Sequence, residues 1–212
     1  MDIIVVGAGI GGLTTALCLL AKGFNVRVYE RSHVLEEAGA GIQIGSNGCK
    51  VLRALGLLSE VEKFAFKPQA AEMRMGETGR VIFSLPLGQA AEQRYHAPYL
   101  NIHRADLQQV LLTALQKQAP NALHLGYEVK DLSQDSEQVT LNFINGEQCQ
   151  ADLVIGADGV RSTIRKLLFN IEDGHFTGMA AWRMTVPSSR LAKHLVPPKA
   201  TIWVGAHKHV VN

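Results

Sequence analysis

The stretch "IIVVGAGIGGLTTALCLLAKGFNVRVYER" places four glycines between Gly7 and Gly12, with apolar residues on both sides. Glycine loses more backbone entropy on folding than any other residue, so such a cluster marks a tight turn or a close approach to the backbone. Ile3 to Val6 form a short continuous apolar run, which suits a parallel strand buried on both faces. From Ile10 to Lys22 the pattern turns helical, with Leu13, Ala16, Leu17 and Leu20 on one face, and Gly23 supplies a C-terminal stop. "FNVRVYE" then alternates as a strand, with Val26 and Val28 on one side. Strand, glycine turn, helix and strand within about 30 residues make a βαβ unit.

Gly7, Gly9 and Gly12 spell GxGxxG at the strand-to-helix turn. Gly7 permits the tight turn, Gly9 lets a pyrophosphate reach the backbone, and Gly12 lets helix and strand pack closely. The helix N-terminus offers N–H groups and a partial positive charge to phosphate. Glu30 ends the second strand, about 20 residues on, where a carboxylate can accept both ribose hydroxyls. That acid argues against a 2′-phosphate, and so against NADP at this first site. NAD and FAD are not distinguished by this unit alone.

The 212 residues are 47% hydrophobic, enough for a real core in one or two domains. Formal net charge is +2 and the charges are scattered, which gives no electrostatic case for nucleic acid or an anionic membrane. Cys18, Cys49 and Cys149 are an odd number without CxxC spacing and fit a reducing compartment. The apolar N-terminus lacks a basic leader region, its first charge being Asp2, and glycines interrupt it. Ile10 to Ala21 is too short to span a bilayer. The expectation is a cytoplasmic protein without a transmembrane segment.

A second signature lies in "ADLVIGADGVRSTIRKLL". Leu153 to Ile155 look like another short buried strand, Gly156 to Gly159 a turn, and Ser162 to Leu168 a helix. Upstream, "QVTLNFINGEQCQ" alternates around Asn145-Gly146, a type I′ hairpin signal. Together these segments resemble the FAD-dependent class A flavoprotein monooxygenases, the aromatic hydroxylases, and especially their salicylate hydroxylase-like branch. Gly7, Gly9, Gly12 and Glu30 look like that family's FAD fingerprint. Asp158-Gly159 with Arg161, Ser162 and Arg165 look like its Asp-Gly motif. "GAGIQIGSNGCKVLRALGL" and "HRADLQQVLL" resemble the segment that passes the flavin ring and the helix whose arginine approaches FAD.

The resemblance implies an α/β chain: a Rossmann-like FAD-binding domain, with a parallel sheet and a β-meander, plus part of a sheet-based substrate domain. The former is expected over residues 1–67 with 102–174, the latter over 68–101 with 175–212. Glu30 would hold the adenosine ribose with Arg31 beside it, and Arg104 would lie near the pyrophosphate. The backbone at Val129 would meet adenine, and Gly41 and Ile42 would lie near the isoalloxazine. Asp158 would join a network linking the phosphates to the nicotinamide site. NADH or NADPH would be the electron donor, and O2 and a small phenolic or hydroxybenzoate-like aromatic the substrates. No residue is assigned as a catalytic base. A homodimer is left open.

Simpler roles stay open beside these. Asp158 fits an N-cap of the following helix. Arg104, Arg161 and Arg165 fit exposed helical charges, and Val129 an ordinary strand residue. His207 and His209 in "HKH" fit a half-exposed strand better than a metal site, since no third ligand is near. "AEMRMGETGRVIFSLPL", "MAAWRMTVP" and "ATIWVGAHKHVVN" all have strand character. The family carries a later Gly-Asp motif that has no match here. The chain is therefore expected to be an N-terminal portion, inactive alone: a fragment, a natural truncation, or the ordered part of a longer protein. Two other functions are compatible with the sequence: a related flavoprotein performing epoxidation, drug inactivation or ubiquinone-pathway hydroxylation, or a nucleotide-binding remnant.

Overall fold

The structure, a computed structural model, describes residues 1–35, 41–171, 174–192, 195 and 197–212. In chain order the elements begin β1 (Asp2–Val6), α1 (Ile10–Leu20), β2 (Asn25–Glu30), β3 (Gly41–Ile44), α2 (Ser46–Ala54) and α3 (Leu58–Glu62). Next come β4 (Ala70–Met75), β5 (Val81–Pro86), α4 (Gln89–Tyr95), β6 (Leu100–His103) and α5 (Arg104–Gln118). Then follow β7 (Leu123–Leu125), β8 (Val129–Gln134), β9 (Val139–Phe143), β10 (Gln148–Ala151), β11 (Leu153–Gly156), α6 (Thr163–Phe169), β12 (Lys199–Gly205) and β13 (Lys208–Val211). The chain divides into two compact units, Met1–Ala38 with Leu107–Trp182, and Gly39–Asp106 with Arg183–Asn212.

The first unit is built on a four-stranded parallel sheet ordered β11-β1-β2-β7. β1 is central, and Ile3, Ile4 and Val5 are essentially inaccessible to solvent. Its alternate residues serve opposite faces. Ile4 and Val6 join Tyr29, Val129, Leu141, Phe143, Ala151 and Ile164 in one apolar cluster. Several of those partners come from the antiparallel meander β10-β9-β8. Burying each large side chain in such a cluster contributes about 1.5–3 kcal/mol. Tyr29 stacks on His124 with centroids 4.6 Å apart, and desolvation, followed by the charge of Arg27, holds the His124 imidazole below its ordinary pKa.

Two expectations are corrected in this unit. Leu153 to Ile155 do form a strand, but not a buried one. β11 is the outer member of its sheet, paired only with β1, and Leu153 is 41% exposed. The hairpin at Asn145-Gly146 is present, but its turn is not type I′. Gly146 has φ +85° while Asn145 is not in the left-handed region. Phe143 instead pairs with Glu147 across a three-residue loop, with Gly146 N–H donating to Phe143 C=O at 3.1 Å. Asn145 Oδ1 accepts from Glu147 N–H at 3.0 Å, and this local bond favours a right-handed turn closed by a left-handed glycine.

The second unit contains a four-stranded sheet, β13-β12-β4-β5, and the two-stranded pair β3-β6. "MAAWRMTVP" was expected as a strand, yet residues 179–187 form none. Alternation makes a strand only where a ladder partner exists, and here Trp182 and Met184 stand 97% and 85% exposed. His207 lies in the β12–β13 turn with φ +57° rather than in a strand, and His209 lies in β13. Among the described residues no group of three or more His, Cys, Asp or Glu side chains could hold a metal ion. No described helix is long and apolar enough to cross a membrane. Cys49 is a buried free thiol whose pKa burial pushes up to about 11, so it is a packing residue rather than a nucleophile.

One buried carboxylate ties three strands of the larger sheet together. Glu72 on β4 accepts from Lys199 Nζ on β12 (2.6 Å), from Arg74 Nε and Nη2 (2.9 and 2.8 Å), and from the Ser84 hydroxyl on β5 (3.3 Å). Lys199 first, and Arg74 second, hold its carboxyl below the ordinary value. A depressed folded pKa adds stability that is fully present above the unfolded carboxylate pKa, about 4.3, and is lost as pH falls through the folded value. Glu72→Gln is therefore expected to lower the melting temperature at pH 7, with the gap to wild type closing in acid. Parallel acid limbs for the two proteins would show that the carboxylate charge adds nothing.

Candidate functional site

Parallel pairing brings the chemistry to one place. In register, Val6 on β1 lies beside Tyr29 on β2 and Gly156 on β11. The carboxyl ends of the three strands, with the turns that follow, therefore share one end of the sheet. Open α/β sheets bind ligands at this end. The ladder continues into the turns: Gly7 N–H donates to Tyr29 C=O and Ala157 N–H donates to Val6 C=O, each at 2.7 Å.

The three motif glycines occupy distinct environments. Gly7 has φ +104°, and a Cβ there would come within 2.5 Å of the Ala157 carbonyl oxygen. The turn after β1 is thus pressed against the Ala157-Asp158 turn after β11. A Cβ on Gly12 would overlap the Gly7 carbonyl oxygen, so the first turn of α1 lies directly on the glycine turn. A Cβ on Gly9 would meet nothing within 4 Å. Gly9 is the N-cap of α1, in extended conformation, with no side-chain cap and no acidic residue in the first helical turn. Open space beside an uncapped helix N-terminus suits an anion, so the residues present fit the pyrophosphate of a dinucleotide.

Glu30 closes one side of this turn. Its Oε2 accepts from Ala8 N–H at 2.8 Å and its Oε1 from Ser32 N–H at 2.9 Å. Each carboxylate oxygen keeps a further lone pair. Arg31 follows it, exposed. Tyr127 N–H donates to Glu30 C=O at 2.9 Å, which brings the start of β8 to the same edge. The Val129 side chain is 6% exposed and belongs to the apolar cluster, so what this strand can offer a ligand is its backbone.

Asp158 caps α6. Its Oδ2 accepts from Ile164 N–H at 3.1 Å and its Oδ1 from the Ser162 hydroxyl at 2.6 Å, while Ser162 Oγ accepts from Arg165 N–H at 2.9 Å. Two side chains thus satisfy two N-terminal donors of one helix. The Arg165 guanidinium bends back to the Val160 carbonyl at 2.8 Å, and Arg161 is exposed.

The remaining predicted residues belong to the second unit. Gly41 pairs with His103 and Ile42 with Ile102 in the β3-β6 ladder, and Arg104 begins α5 directly after β6. These three are therefore neighbours of one another by register. Residues 39 and 40, which open the segment expected to pass the flavin ring, lie outside the described residues.

Gln108 on α5 was not anticipated. It is 7% exposed, and its Nε2 donates to the Ala8 carbonyl at 3.1 Å. The available signal was a carboxamide at helical spacing from Leu111 and Leu115, inside a stripe that otherwise reads as core.

Comparison with known proteins places the chain. Residues 1–210 match the family described as FAD binding domain. The chain is 38% identical over 208 residues to the 3-amino-4-hydroxybenzoate 2-monooxygenase of Streptomyces cremeus, covering 98% of this chain and 52% of that protein. It is 35% identical over 211 residues to the 6-hydroxynicotinate 3-monooxygenase of Pseudomonas fluorescens, covering 99% and 54%. The fold is similar to that of Klebsiella pneumoniae HpxO complexed with FAD and uric acid, with a TM-score of 0.77 and 26% identity over 100% of this chain and 52% of that one. The chain belongs to the FAD-binding class A flavoprotein aromatic monooxygenase family. It spans about half the length of the curated relatives it matches.

The glycine environments predict opposite outcomes for two alanine substitutions. Gly9→Ala should fold with a stability loss of at most about 1 kcal/mol, since its backbone is extended and its surroundings open. Gly12→Ala should lose about 3 kcal/mol or more, because backbone must move to admit the methyl group. Denaturant unfolding of both variants checks the order, and equal losses would contradict the packing described.

Proposed function

We propose that the complete protein is an FAD-dependent monooxygenase that hydroxylates a small phenolic or hydroxybenzoate-like aromatic with NADH or NADPH and O2. The observation that carries this reading is the convergence of the glycine turn, Glu30 and Asp158 at one end of the parallel sheet. The two named relatives act, by name, on an aminohydroxybenzoate and a hydroxynicotinate, which supports a hydroxylated aromatic acid as substrate class. FAD, when bound, supplies the redox chemistry, accepting electrons from the pyridine nucleotide and activating O2.

In this reading the chain's residues bind and orient. The uncapped first turn of α1 takes the pyrophosphate, with Gly9 leaving room for it. Glu30, through its free lone pairs, accepts from the adenosine ribose, with Arg31 beside it. The backbone at Val129 meets adenine, Arg104 neutralises phosphate charge, and Gly41 and Ile42 lie along the isoalloxazine. Asp158 connects the phosphate end to the nicotinamide site while capping α6. The functional division into an FAD-binding part, 1–67 with 102–174, and a substrate sheet, 68–101 with 175–212, belongs to the same proposal. The test is NAD(P)H consumption that depends on an added phenol or hydroxybenzoate, with one atom of labelled O2 found in the product. Absence of label in any product of a broad aromatic panel would overturn the monooxygenase reading.

Two substitutions in the complete protein test the assignments. Glu30→Ala should weaken FAD binding by about 1–3 kcal/mol through loss of a charge-assisted hydrogen-bond pair, and Glu30→Gln should cost less. An unchanged dissociation constant in a flavin fluorescence titration would remove Glu30 from the site. Arg104→Ala should weaken FAD most at low salt, with the difference narrowing as ions screen the charge. Equal affinities at low salt would place Arg104 away from the phosphates.

A further inference from the structure

We propose that Gln108 is a positioning residue for the phosphate-binding turn: its buried carboxamide fixes the orientation of the Ala8-Gly9 peptide. The inference rests on the FAD reading given above and extends it to a residue of α5.

Ala8 is fully buried between Gly7, at φ +104°, and Gly9. Its two backbone polar groups are both taken by side chains from outside the turn. The N–H goes to Glu30 Oε2 on β2 (2.8 Å) and the C=O accepts from Gln108 Nε2 on α5 (3.1 Å). These two bonds act on consecutive peptides. Glu30 sets the Gly7-Ala8 peptide, whose carbonyl oxygen is pressed against Gly12. Gln108 sets the Ala8-Gly9 peptide. A trans peptide is planar, so holding the Ala8 carbonyl also fixes the direction of the Gly9 N–H on the opposite side of the same plane. Gly9 has no Cβ contact of its own to restrain it. Without Gln108, no other hydrogen bond among the described residues reaches that carbonyl, and Gly9 on one side of the peptide leaves it freer to rotate.

The same bond also satisfies the carbonyl of fully buried Ala8, so the test must separate orientation of the turn from stability. Gln108 lies on the same buried face of α5 as Leu111 and Leu115, where a leucine would pack without a polar group to satisfy. A buried carboxamide is tolerated only when bonded. Glu30 is a direct ligand contact in the proposed site, whereas Gln108 acts through the backbone of the turn.

The experiment compares wild type, Gln108→Leu and Gln108→Glu in the complete protein. It measures FAD affinity by flavin fluorescence between pH 5 and pH 8, thermal unfolding, and amide exchange of the turn in the ligand-free protein. Gln108→Leu leaves the buried Ala8 carbonyl without its donor, so it is expected to unfold at a somewhat lower temperature than wild type, to exchange faster at Gly9, and to bind FAD about tenfold more weakly while still fully folded at the titration temperature. Gln108→Glu is the diagnostic variant. Its carboxylate cannot donate to a carbonyl, but its protonated form can. FAD affinity should therefore recover as pH falls through the raised pKa of a buried glutamate, while wild type and Gln108→Leu show no such recovery. If Gln108→Leu fails to fold, the pH profile of Gln108→Glu still decides. Wild type that binds FAD, with both variants binding equally at every pH, overturns this inference alone. Wild type that binds no FAD overturns the reading on which it rests, and the inference with it.

Discussion

The contact between Gly7 and Gly12 decides what the end of β1 can become. The Gly7 carbonyl oxygen occupies the space a Cβ on Gly12 would need, and the Ala157 carbonyl sits where a Cβ on Gly7 would point. Three backbone segments, the turn after β1, the first turn of α1 and the turn after β11, are thereby pressed together, with only the small Ala157 methyl group beside Gly12. This close approach lets α1 start immediately beyond the strand and leave its N-terminus uncapped at the sheet end. Side chains at these two positions would push the helix off the strand and separate the two motifs.

The rest of the first unit supports that contact. β1 is flanked by parallel partners on both sides, and its buried residues anchor it between the meander on one face and the helical layer on the other. Glu30 and Asp158 each do two local jobs before any ligand arrives. Glu30 ties the glycine turn to the loop after β2, and Asp158 braces the N-cap Ser162 and the first turn of α6. A carboxylate held this way is already oriented, so ligand binding need not order it, which reduces the entropic cost of binding. The capping role of Asp158 and the proposed ligand role are therefore compatible rather than alternatives.

Much of this was legible in the sequence because it rests on backbone requirements that only certain residues meet. A glycine that must adopt φ +104°, or admit a neighbouring carbonyl, cannot be replaced silently, and so Gly7 and Gly12 announce the turn. The alternation of "QVTLNF" announced a strand, because successive side chains face opposite sides of a sheet, and Gly146 announced its turn. What was not legible depends on partners distant in the chain. The exposure of Leu153 follows from β11 having one neighbour instead of two. The absence of a strand at residues 179–187 follows from the lack of a ladder partner. Gln108 reads as one polar residue in a core stripe until α5 is placed beside Ala8, 100 residues away. The Asn145 turn was mistaken because dipeptide preference describes an average hairpin, whereas the Asx bond to Glu147 N–H is particular to this loop.

In the proposed function the glycine turn and the first turn of α1 act as a pre-shaped phosphate cradle. Residue-resolved amide exchange of the complete protein, with and without saturating FAD, tests this most directly. Strong new protection is expected at Gly9 to Gly12 on adding FAD, with little change in β1, whose amides are already bonded in the ladder. Saturable FAD binding that leaves the Gly9 to Gly12 amides exchanging as before would contradict it.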